Sequence, residues 1–517
     1  MNNIKVLWVD DEIESLKSQV IFLQNKGYDV TALTNGYDAL DFIKENPVDV
    51  VLLDESMPGM TGLETLAGIK EFNSALPVVM ITKNEAENIM DEAIGSQITD
   101  YLIKPVNPNQ VLLSLKKIID SGRLVSEKTT SAYQQEFRNL FMALNDSPDY
   151  NEWIELYKKL VYWELEIEKS DSPEMREVFN TQKAEANTEF FKFVSRNYAD
   201  WVANPKDAPV MSHNVLAKKL FPNIQKGKPA FFVLIDNLRF DQWRAIQPIF
   251  SEYFRVVDED AFYSILPTAT QYSRNAIFAG MMPIDIQKNF RDKWVYDDEE
   301  EGKNRYESDF LAQQLKTLKQ DVKWSYTKVL NHEDGRRLVD DVHNLLNNDF
   351  NVIVYNFVDM LSHARTEMEV LKELAPDEVA YRSLTVSWFE HSPLLQALRK
   401  IADKDIQLFI GTDHGTMRVR TPAKVIGDRQ TTTNLRYKHG RNLNYENRDV
   451  LAFRKPSEAG LPAPHVNSSY IFAKEDIFLC YPNNYNHYVN YYHDTFQHGG
   501  ISLEEMIIPF VKMEPKK

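Results

Sequence analysis

Short apolar runs that end near acidic residues recur along this chain, and they limit its fold more than any other feature. The N-terminal part contains five runs that are each long enough for one strand: 4–9, 28–33, 48–53, 77–82 and 100–105. Near-continuous apolar character is typical of parallel strands that are covered on both faces, and helix-like segments lie between the runs. The pattern predicts a doubly wound α/β domain.

The same signature returns in the C-terminal part of the chain. Residues 229–237, 351–359 and 405–413 each form an apolar run that ends in or just before a carboxylate, as in DIQLFIGTD. Ligand-binding residues of open α/β sheets collect at the carboxyl ends of the strands. The sequence therefore predicts a second α/β domain with a polar site at one edge of its sheet.

The segment between these two parts has a different composition. No glycine occurs from residue 123 to residue 226, and Glu, Lys, Leu and aromatic residues follow three- and four-residue spacing. Such spacing predicts amphipathic helices, interrupted at the polar and proline-containing stretches 145–148 and 171–173. We expect a helical bundle that joins the two α/β domains, as a rigid transmitter or a dimerisation surface.

The composition excludes several classes of protein. The 76 acidic and 59 basic side chains give a formal charge of -17, which disfavours broad non-specific binding to nucleic acid. The single cysteine, Cys480, lies in an apolar stretch, which predicts a core residue and no internal disulfide. An acidic N-terminal stretch predicts no signal peptide, and no apolar run is long enough for a membrane span. We expect a cytoplasmic protein.

Polar residues follow the strand-like runs of the N-terminal part. Three of them are carboxylates: Asp10, Asp11 and Asp54. Clustered carboxylates suit a hard cation such as Mg²⁺, which would neutralise an incoming phosphoryl group. Thr82 and Lys104 end the fourth and fifth runs and offer a hydroxyl and an ammonium to phosphoryl oxygens, while Tyr101 could move with the neighbouring loops.

The motifs VDDE, LLDESMPGMTG, MIT and YLIKP resemble the receiver domain of two-component response regulators. The resemblance implies that a histidine kinase or a small phosphodonor phosphorylates Asp54. It also implies that Asp11 and Asp54 bind Mg²⁺ with support from Asp10. Phosphorylation adds about two negative charges, which is a plausible switch of partner surfaces.

The C-terminal part contains residue types that bind transition metals. They are Asp236, the pair Asp359 and His363, the adjacent Asp413 and His414, and His498 in the segment HGG. Mixed aspartate and histidine ligands suit Zn²⁺ or Mn²⁺ better than Ca²⁺. Two such ions ~3.5–4 Å apart would clamp the attacking and leaving oxygens of a phosphoryl transfer. Thr268, Thr270 and Ser273 are candidate nucleophiles, since a hydroxyl beside a metal loses its proton more readily.

This set resembles the alkaline phosphatase superfamily and, within it, the PglZ domain. The resemblance implies that Asp236, Thr270, Asp413 and His414 bind one Zn²⁺ ion, and that Asp359, His363 and His498 bind the other. It also favours Thr270 as the nucleophile, because Thr270 is the second threonine of a PT-x-T pattern. Thr268 and Ser273 stay open as alternatives.

Three further residues are predicted to contact phosphate. Arg274 and Asn275 follow the nucleophile, although the exposed start of a helix is an alternative position for both. His439 lies in the basic stretch RYKHGRN, which could meet a phosphate or a nucleotide or could be a solvated loop.

The predicted layout is a receiver domain at 1–121, a helical linker at 122–208 and a PglZ domain at 209–517. This layout resembles the atypical response regulators of the type IX secretion system. It implies a sensor histidine kinase as partner, with a sigma factor as a further candidate, and a homodimer on phosphorylation. The predicted activity is hydrolysis of nucleotide or oligonucleotide phosphodiesters. A non-catalytic, metal-stabilised module that binds a partner is the alternative. A DNA-binding regulator is disfavoured because no basic helix-turn-helix pattern follows the receiver.

Overall fold

The computed structural model describes residues 4–83, 98–119, 121–170, 172–296, 302–428 and 431–516. The chain divides into two compact units, Met1–Ser131 and Ala132–Lys517. The helix expected between the fourth and fifth strands falls on residues outside the described ranges.

The first unit is built on a parallel sheet. Its strands are β1 (Lys5–Val9), β2 (Asp29–Leu33), β3 (Val50–Asp54), β4 (Val78–Thr82) and β5 (Asp100–Ile103). The helices are Lys17–Asn25, Gly36–Glu45, Gly62–Phe72 and Pro108–Ile119. The strand order β2-β1-β3-β4-β5 is that of a flavodoxin-like doubly wound domain, so this prediction is confirmed.

Alternate residues of the interior strand β1 pack in two different hydrophobic cores. Val6 and Trp8 pack in one hydrophobic cluster, while Leu7 and Val9 pack in another on the opposite face. Because side chains of a strand alternate between faces, only a strand covered on both sides requires such continuous apolar character. The helix Gly62–Phe72 begins against the end of β3, where a Cβ atom on Gly62 would lie 2.3 Å from the Asp54 carbonyl oxygen.

Three long helices follow: Ser121–Asn145, Tyr150–Lys169 and Pro173–Ala203. The second begins at a capping box in which Asp149 and Glu152 satisfy each other's backbone N–H groups. The third begins at the N-cap Ser172, with a proline in its first turn. Both of the last two helices contact the C-terminal sheet at Tyr263, whose ring stacks on Phe190 of the third helix and whose hydroxyl donates to the Tyr150 carbonyl of the second.

The C-terminal sheet has six strands: β6 (Ala230–Ile235), β7 (Phe254–Tyr263), β8 (Trp324–Val329), β9 (Phe350–Tyr355), β10 (Gln407–Gly411) and β18 (Ile507–Pro515). Their order across the sheet is β7-β18-β10-β6-β9-β8. The four strands from β10 to β8 are parallel, and β18 is antiparallel to both of its neighbours. The three acid-ended runs thus become adjacent strands, β10, β6 and β9.

Smaller sheets lie outside this central one. Their strands are β11 (Met417–Val419), β12 (Thr421–Lys424), β13 (Tyr437–Arg441), β14 (Val450–Phe453), β15 (Ser468–Ala473), β16 (Ile477–Cys480) and β17 (Thr495–Gln497). The pairs are β11 with β17 and β12 with β16, and the remaining three form a sheet in the order β13-β15-β14.

The helices of this domain are Phe240–Phe250, Thr270–Ala279, Pro283–Asn289, Glu307–Thr317, His332–Leu345, Phe357–Glu367, Glu369–Leu374, Glu378–His391, Pro393–Ile401, Tyr485–Tyr492 and Leu503–Met506. The strand expected over 351–359 ends earlier than its apolar pattern suggests. β9 stops at Tyr355, and Asp359 lies in the first turn of the helix Phe357–Glu367. Across the described residues, no helix is both long and apolar enough to cross a membrane.

Candidate functional site

Three carboxylates meet at the carboxyl edge of the first sheet. β1 and β3 are neighbours, so Asp10, directly after β1, and Asp54, the last residue of β3, are brought together with Asp11. One oxygen from each of the three lies within 4.8 Å of the others. Asp10 and Asp54 are buried, whereas Asp11 is exposed and open to an incoming group.

Lys104 bridges the two buried carboxylates. Its Nζ atom lies 2.8 Å from Asp10 Oδ2 and 2.8 Å from Asp54 Oδ1. Burial raises the pKa of the Asp54 carboxyl. Burial opposes the charge on Lys104, but its hydrogen bonds to Asp10 and Asp54 outweigh this effect and raise the pKa of the ammonium. The Thr82 hydroxyl donates to Glu55, and Tyr101 is exposed.

Three of the predicted metal ligands are gathered between β6 and β10. Asp236 directly follows β6, and Asp413 and His414 follow β10; one ligand atom from each lies within 4.8 Å of the others. All three side chains are buried. The Asp413 Oδ2 atom is buried without a hydrogen-bond partner among the described residues. A buried carboxylate oxygen in that state is costly unless a cation or donor meets it.

The other three predicted ligands form a second group. The Asp359 Oδ2 atom is 3.5 Å from His363 Nε2, and Asp359 Oδ1 is 3.8 Å from His498 Nε2. The side chain of His363 is 60% exposed, so this group opens to solvent. The rings of His414 and His498 lie 4.4 Å apart and nearly parallel, which makes the two groups adjacent.

Burial shifts the pKa of three of these side chains, His414, His498 and Asp359. It lowers the pKa of His414, and together with the charges of His414 and His363 it lowers the pKa of His498. Burial, reinforced by the charge of Asp236, raises the pKa of Asp359 to about 6. Imidazoles and crowded carboxylates are a donor set that fits divalent transition metals.

The Thr270 hydroxyl faces the first group of ligands. Its Oγ1 atom is 3.0 Å from His414 Nε2 and 3.4 Å from Asp236 Oδ1. Thr270 begins the helix Thr270–Ala279, where unpaired backbone N–H groups favour a negative charge. Of the three candidate nucleophiles, Thr270 is the one whose hydroxyl contacts the ligands.

The other two hydroxyls have structural partners. The Thr268 hydroxyl donates to the Gly500 carbonyl and accepts from the Gly499 amide. The Ser273 hydroxyl is hydrogen-bonded with that of Ser264. Both residues are buried, so their hydroxyls hold the segment that carries Thr270.

Arg274 is buried beside the ligands rather than on an exposed helix start. Its NH1 group donates to Asp236 Oδ2 at 2.7 Å, and its Nε–H donates to Glu307 Oε1 at 2.5 Å. Lys328 also contacts Glu307, at 2.8 Å. Glu307 and Lys328 were not identified from the sequence, because neither lies near a recognisable motif.

Asn275 and His439 have other surroundings. The Asn275 amide donates to the carbonyls of Gln271 and Lys303. His439 is buried in β13 with its ring packed on Tyr470, so the alternative of a solvated loop is wrong for it. Phosphate contacts of Arg274, Asn275 and His439 stay predictions.

Asn237 joins the two groups of ligands, and sequence reasoning missed it. Its backbone N–H donates to Asp413 Oδ1 at 3.3 Å, and its amide Nδ2 donates to Asp359 Oδ1 at 3.2 Å. Its φ of 64° lies in the left-handed region, which asparagine tolerates better than most residues. The position of Asn237 directly after the predicted ligand Asp236 could have indicated its role.

Comparison with known families identifies the domains. The model of the BREX system PglZ alkaline phosphatase-like domain matches residues 215–513, more than half of the chain. The chain belongs to the PglZ family. A response regulator receiver domain matches residues 6–116, and the PorX response regulator linker domain matches residues 123–202. The PglZ domain thus follows a receiver and a linker in the order of a PorX-like response regulator.

Individual relatives of this PglZ-family chain include the transcriptional regulatory protein ZraR of Klebsiella oxytoca, 34% identical over 26% of this chain and 30% of ZraR. The sensor histidine kinase GacS of Pseudomonas protegens is 35% identical over 21% of this chain and 12% of GacS. The chain therefore spans about a third or less of the length of these relatives. Among solved structures, the Vibrio cholerae chemotaxis protein CheY4 matches with 30% identity and a TM-score of 0.22, covering 23% of this chain and 100% of CheY4.

Proposed function

We propose that this chain is a phosphorylation-controlled hydrolase of phosphodiesters, with nucleotides or oligonucleotides as substrates. The observation that carries the proposal is the position of Thr270, whose hydroxyl contacts ligands of one group while the second group lies directly beside it. A nucleophile beside a pair of three-ligand groups is an arrangement that suits two-metal phosphoryl transfer.

The residues present fit two divalent cations, and we propose Zn²⁺. Asp236, Asp413, His414 and Thr270 would hold one ion, and Asp359, His363 and His498 would hold the other. Bound there, the pair would supply Lewis-acid chemistry that stabilises charge on the reacting oxygens. The Asp413 Oδ2 atom supports this assignment, because it is buried, accepts no hydrogen bond among the described residues and lies 4.0 Å from Arg274 NH1, which leaves room for a closer cation.

The side chains have separate roles in this proposal. The Thr270 oxygen attacks phosphorus, forms a threonine–phosphate bond and releases its proton to solvent, while the bond to the leaving alcohol breaks and that alcohol takes up a proton. Water then hydrolyses this threonyl phosphodiester, which releases the phosphate monoester of the retained alcohol and regenerates the hydroxyl. Arg274 lies within reach of the same centre and would bind a phosphate oxygen, as a guanidinium does well. The exposed side chain of His363 marks the side from which substrate enters.

The receiver would control this activity. Its carboxylates would hold Mg²⁺, Asp54 would accept a phosphoryl group from a sensor histidine kinase, and Lys104 would move from Asp10 to the new phosphoryl oxygens. We place the domain limits at 1–121, 122–208 and 209–517. The proposed setting is the cytoplasm and regulation of type IX secretion, with a sigma factor as a further partner and dimerisation upon phosphorylation.

The test is hydrolysis of bis(p-nitrophenyl) phosphate by the zinc-loaded full chain. We expect Thr270→Ala to lose turnover by at least about 100-fold while it still holds two zinc ions through the six aspartate and histidine ligands, and Thr270→Ser to retain measurable turnover because the hydroxyl is kept. Zinc content is measured by atomic emission. A wild-type chain that holds two zinc ions but hydrolyses no diester would instead favour the partner-binding module.

A further inference from the structure

A short helix that follows the ligand His498 in the chain carries two adjacent carboxylates in the protein interior. It is the helix Leu503–Met506, in which Glu504 and Glu505 are both buried. Its N-cap, Ser502, accepts a hydrogen bond from the Glu505 amide. Two buried carboxylates side by side are costly in free energy unless cations or donors meet both. The partners of each carboxylate therefore show what this short helix holds together.

Glu505 and the backbone of the short helix hold the loops that carry two histidine ligands. The Gly500 amide, close to His498, donates to Glu505 Oε1 at 2.9 Å. The Gly415 amide, next to His414, donates to the Glu505 carbonyl at 3.3 Å. A Cβ atom on Gly415 would lie 2.1 Å from a carbonyl oxygen of the short helix, so the two backbones are in direct contact. A displacement of this helix therefore moves backbone beside one ligand of each group.

Glu504 contacts the helical linker instead. Its Oε1 atom lies 3.0 Å from Lys183 Nζ, and its Oε2 atom accepts from Asn187 Nδ2 at 3.2 Å. The side-chain oxygen of Asn187 accepts in turn from the Leu503 amide at 2.8 Å. Lys183 and Asn187 lie about one turn apart on the linker helix Pro173–Ala203. The linker thus holds the short helix through its first amide and through the Glu504 carboxylate.

Lys183 supplies the charge in this contact. Its side chain is 14% exposed, and its Nζ atom also lies 2.9 Å from Glu164 Oε2. Burial opposes the charge, but the charges of Glu164 and Glu504 outweigh this effect and raise the pKa of the ammonium. The amine is therefore protonated at neutral pH. Without it, the hydrogen bond from Asn187 is the remaining side-chain contact of the Glu504 carboxylate among the described residues.

The same linker carboxylate is connected to the first group of ligands along another path. Arg382 NH1 donates to Glu164 Oε1 at 2.7 Å and to Asp241 Oδ2 at 2.6 Å. Asp241 in turn accepts a hydrogen bond from Arg239 Nε at 2.9 Å. Arg239 lies just after the ligand Asp236 in the chain. Two paths of ion pairs therefore join the linker to residues beside the ligands, and Lys183 belongs to both through Glu164.

We propose that Lys183 is a positioning residue for the metal site, acting through the short helix Leu503–Met506 on the loops of His414 and His498. The proposal rests on the proposed function, because it concerns the same ligands, and it gives the linker a part in that site. An ion pair with a merely structural role would stabilise the fold as a whole. A positioning role instead requires that its loss loosens these two loops in a chain that is still folded.

The test measures hydrogen exchange by mass spectrometry in the zinc-free full chain, in peptides that contain the Gly415 and Gly500 amides. Lys183→Met loses the charge, and we expect both peptides to exchange about tenfold faster, since hydrogen bonds to charged groups are the stronger ones. Lys183→Arg keeps the charge and is expected to restore exchange to within about threefold of the wild type. The matched control is Lys192→Met, an exposed lysine on the same linker helix.

A second control separates positioning from general stability. Leu140 is buried on the first linker helix, so Leu140→Ala destabilises the linker core without touching the short helix. We expect this variant to leave both glycine peptides at wild-type exchange. If Lys183→Met does not fold, Glu504→Gln removes the same ion pair while Lys183 keeps Glu164, and it is expected to show the same faster exchange.

Zinc affinity, measured by competition with a chromophoric chelator, connects the loops to the metal site. We expect Lys183→Met to bind zinc about tenfold more weakly, the lower end of the loss typical for residues that support metal ligands. Wild-type exchange in Lys183→Met overturns the proposal, as does equal acceleration in Leu140→Ala or faster exchange with unchanged zinc affinity. A wild-type chain that binds no zinc refutes the proposed function instead, and exchange in the zinc-free chain then still decides whether Lys183 holds the two loops.

Discussion

Replacement of Glu307 tests how the protein keeps Arg274 from competing with a metal. Glu307 is buried and accepts hydrogen bonds from Arg274 Nε, Lys328 Nζ and the Tyr326 hydroxyl. In Glu307→Gln the carboxylate charge is lost. Asp236 is then the one carboxylate among the described residues within hydrogen-bond distance of the Arg274 guanidinium, at 2.7 Å.

These contacts set the expected losses of metal affinity and of folding stability in Glu307→Gln. A guanidinium that has lost its second anion binds Asp236 more tightly, and Asp236 then becomes a poorer ligand for a cation. Changes to residues that support metal ligands typically weaken metal affinity about 10–100-fold, or ~1.4–2.7 kcal/mol. Removing one partner of a buried ion pair also destabilises the fold by about 3–5 kcal/mol.

The assay is zinc affinity measured by competition with a chromophoric chelator, beside urea unfolding of the same samples. Tyr326→Phe is the matched control, because it removes one hydrogen bond to Glu307 and leaves the charge in place. We expect the control to bind zinc within about threefold of the wild type. A folded Glu307→Gln variant with wild-type zinc affinity would show that Glu307 does not protect Asp236, and the reasoning would be wrong.

Two further predictions concern other parts of the chain. Asp54→Asn removes the proposed acceptor, so incubation with acetyl phosphate and Mg²⁺ produces no shifted band on a phosphate-affinity gel, whereas the exposed control Asp41→Asn keeps the band. Lys438 is 1% exposed, and burial lowers the pKa of its ammonium to about 7; the Cys480 thiol and the Tyr481 ring lie beside it. Between about pH 7 and 10 the Lys438 amine is protonated in the unfolded chain but neutral in the folded chain. The free energy of unfolding of the wild type therefore falls as the pH falls through that window. Lys438→Met has no ammonium at this position, so its stability does not change in this window on that account. The difference in unfolding free energy, variant minus wild type, is therefore about 2–3 kcal/mol larger at pH 6 than at pH 9. Equal gains at both pH values, measured by urea unfolding, would contradict this reasoning.

Much of the fold follows from local pattern. The alternation of apolar runs and helix-like segments in the first unit predicts its parallel sheet, because a strand covered on both faces needs apolar residues at every position, as in β1. The interruptions at 145–148 and 171–173 mark where one long helix ends and the next begins, at the caps Asp149 and Ser172. The end of β9 was predicted too late, because the apolar residues Phe357 and Val358 continue the pattern into a helix.

Residue types at strand ends identified the candidate ligands, since strand order in an α/β sheet brings such ends together. The distances and contacts between these side chains could not be predicted from residue types and strand ends. The choice of Thr270 over Thr268 depends on which hydroxyl faces His414, and that depends on how the segment 264–273 is held by Ser264, Gly499 and Gly500.

By itself, the sequence determined local properties of each segment. It indicated which runs form strands, where helices begin, and which side chains are of metal-binding types. These properties are local, because hydrophobic period and capping act over a few residues. Only the tertiary structure decided that Glu307 holds Arg274, that Asn237 joins the two groups of ligands, and that Lys183 pairs with Glu504. Each of these contacts joins elements distant in sequence, and long-range packing rather than local preference sets which of them meet.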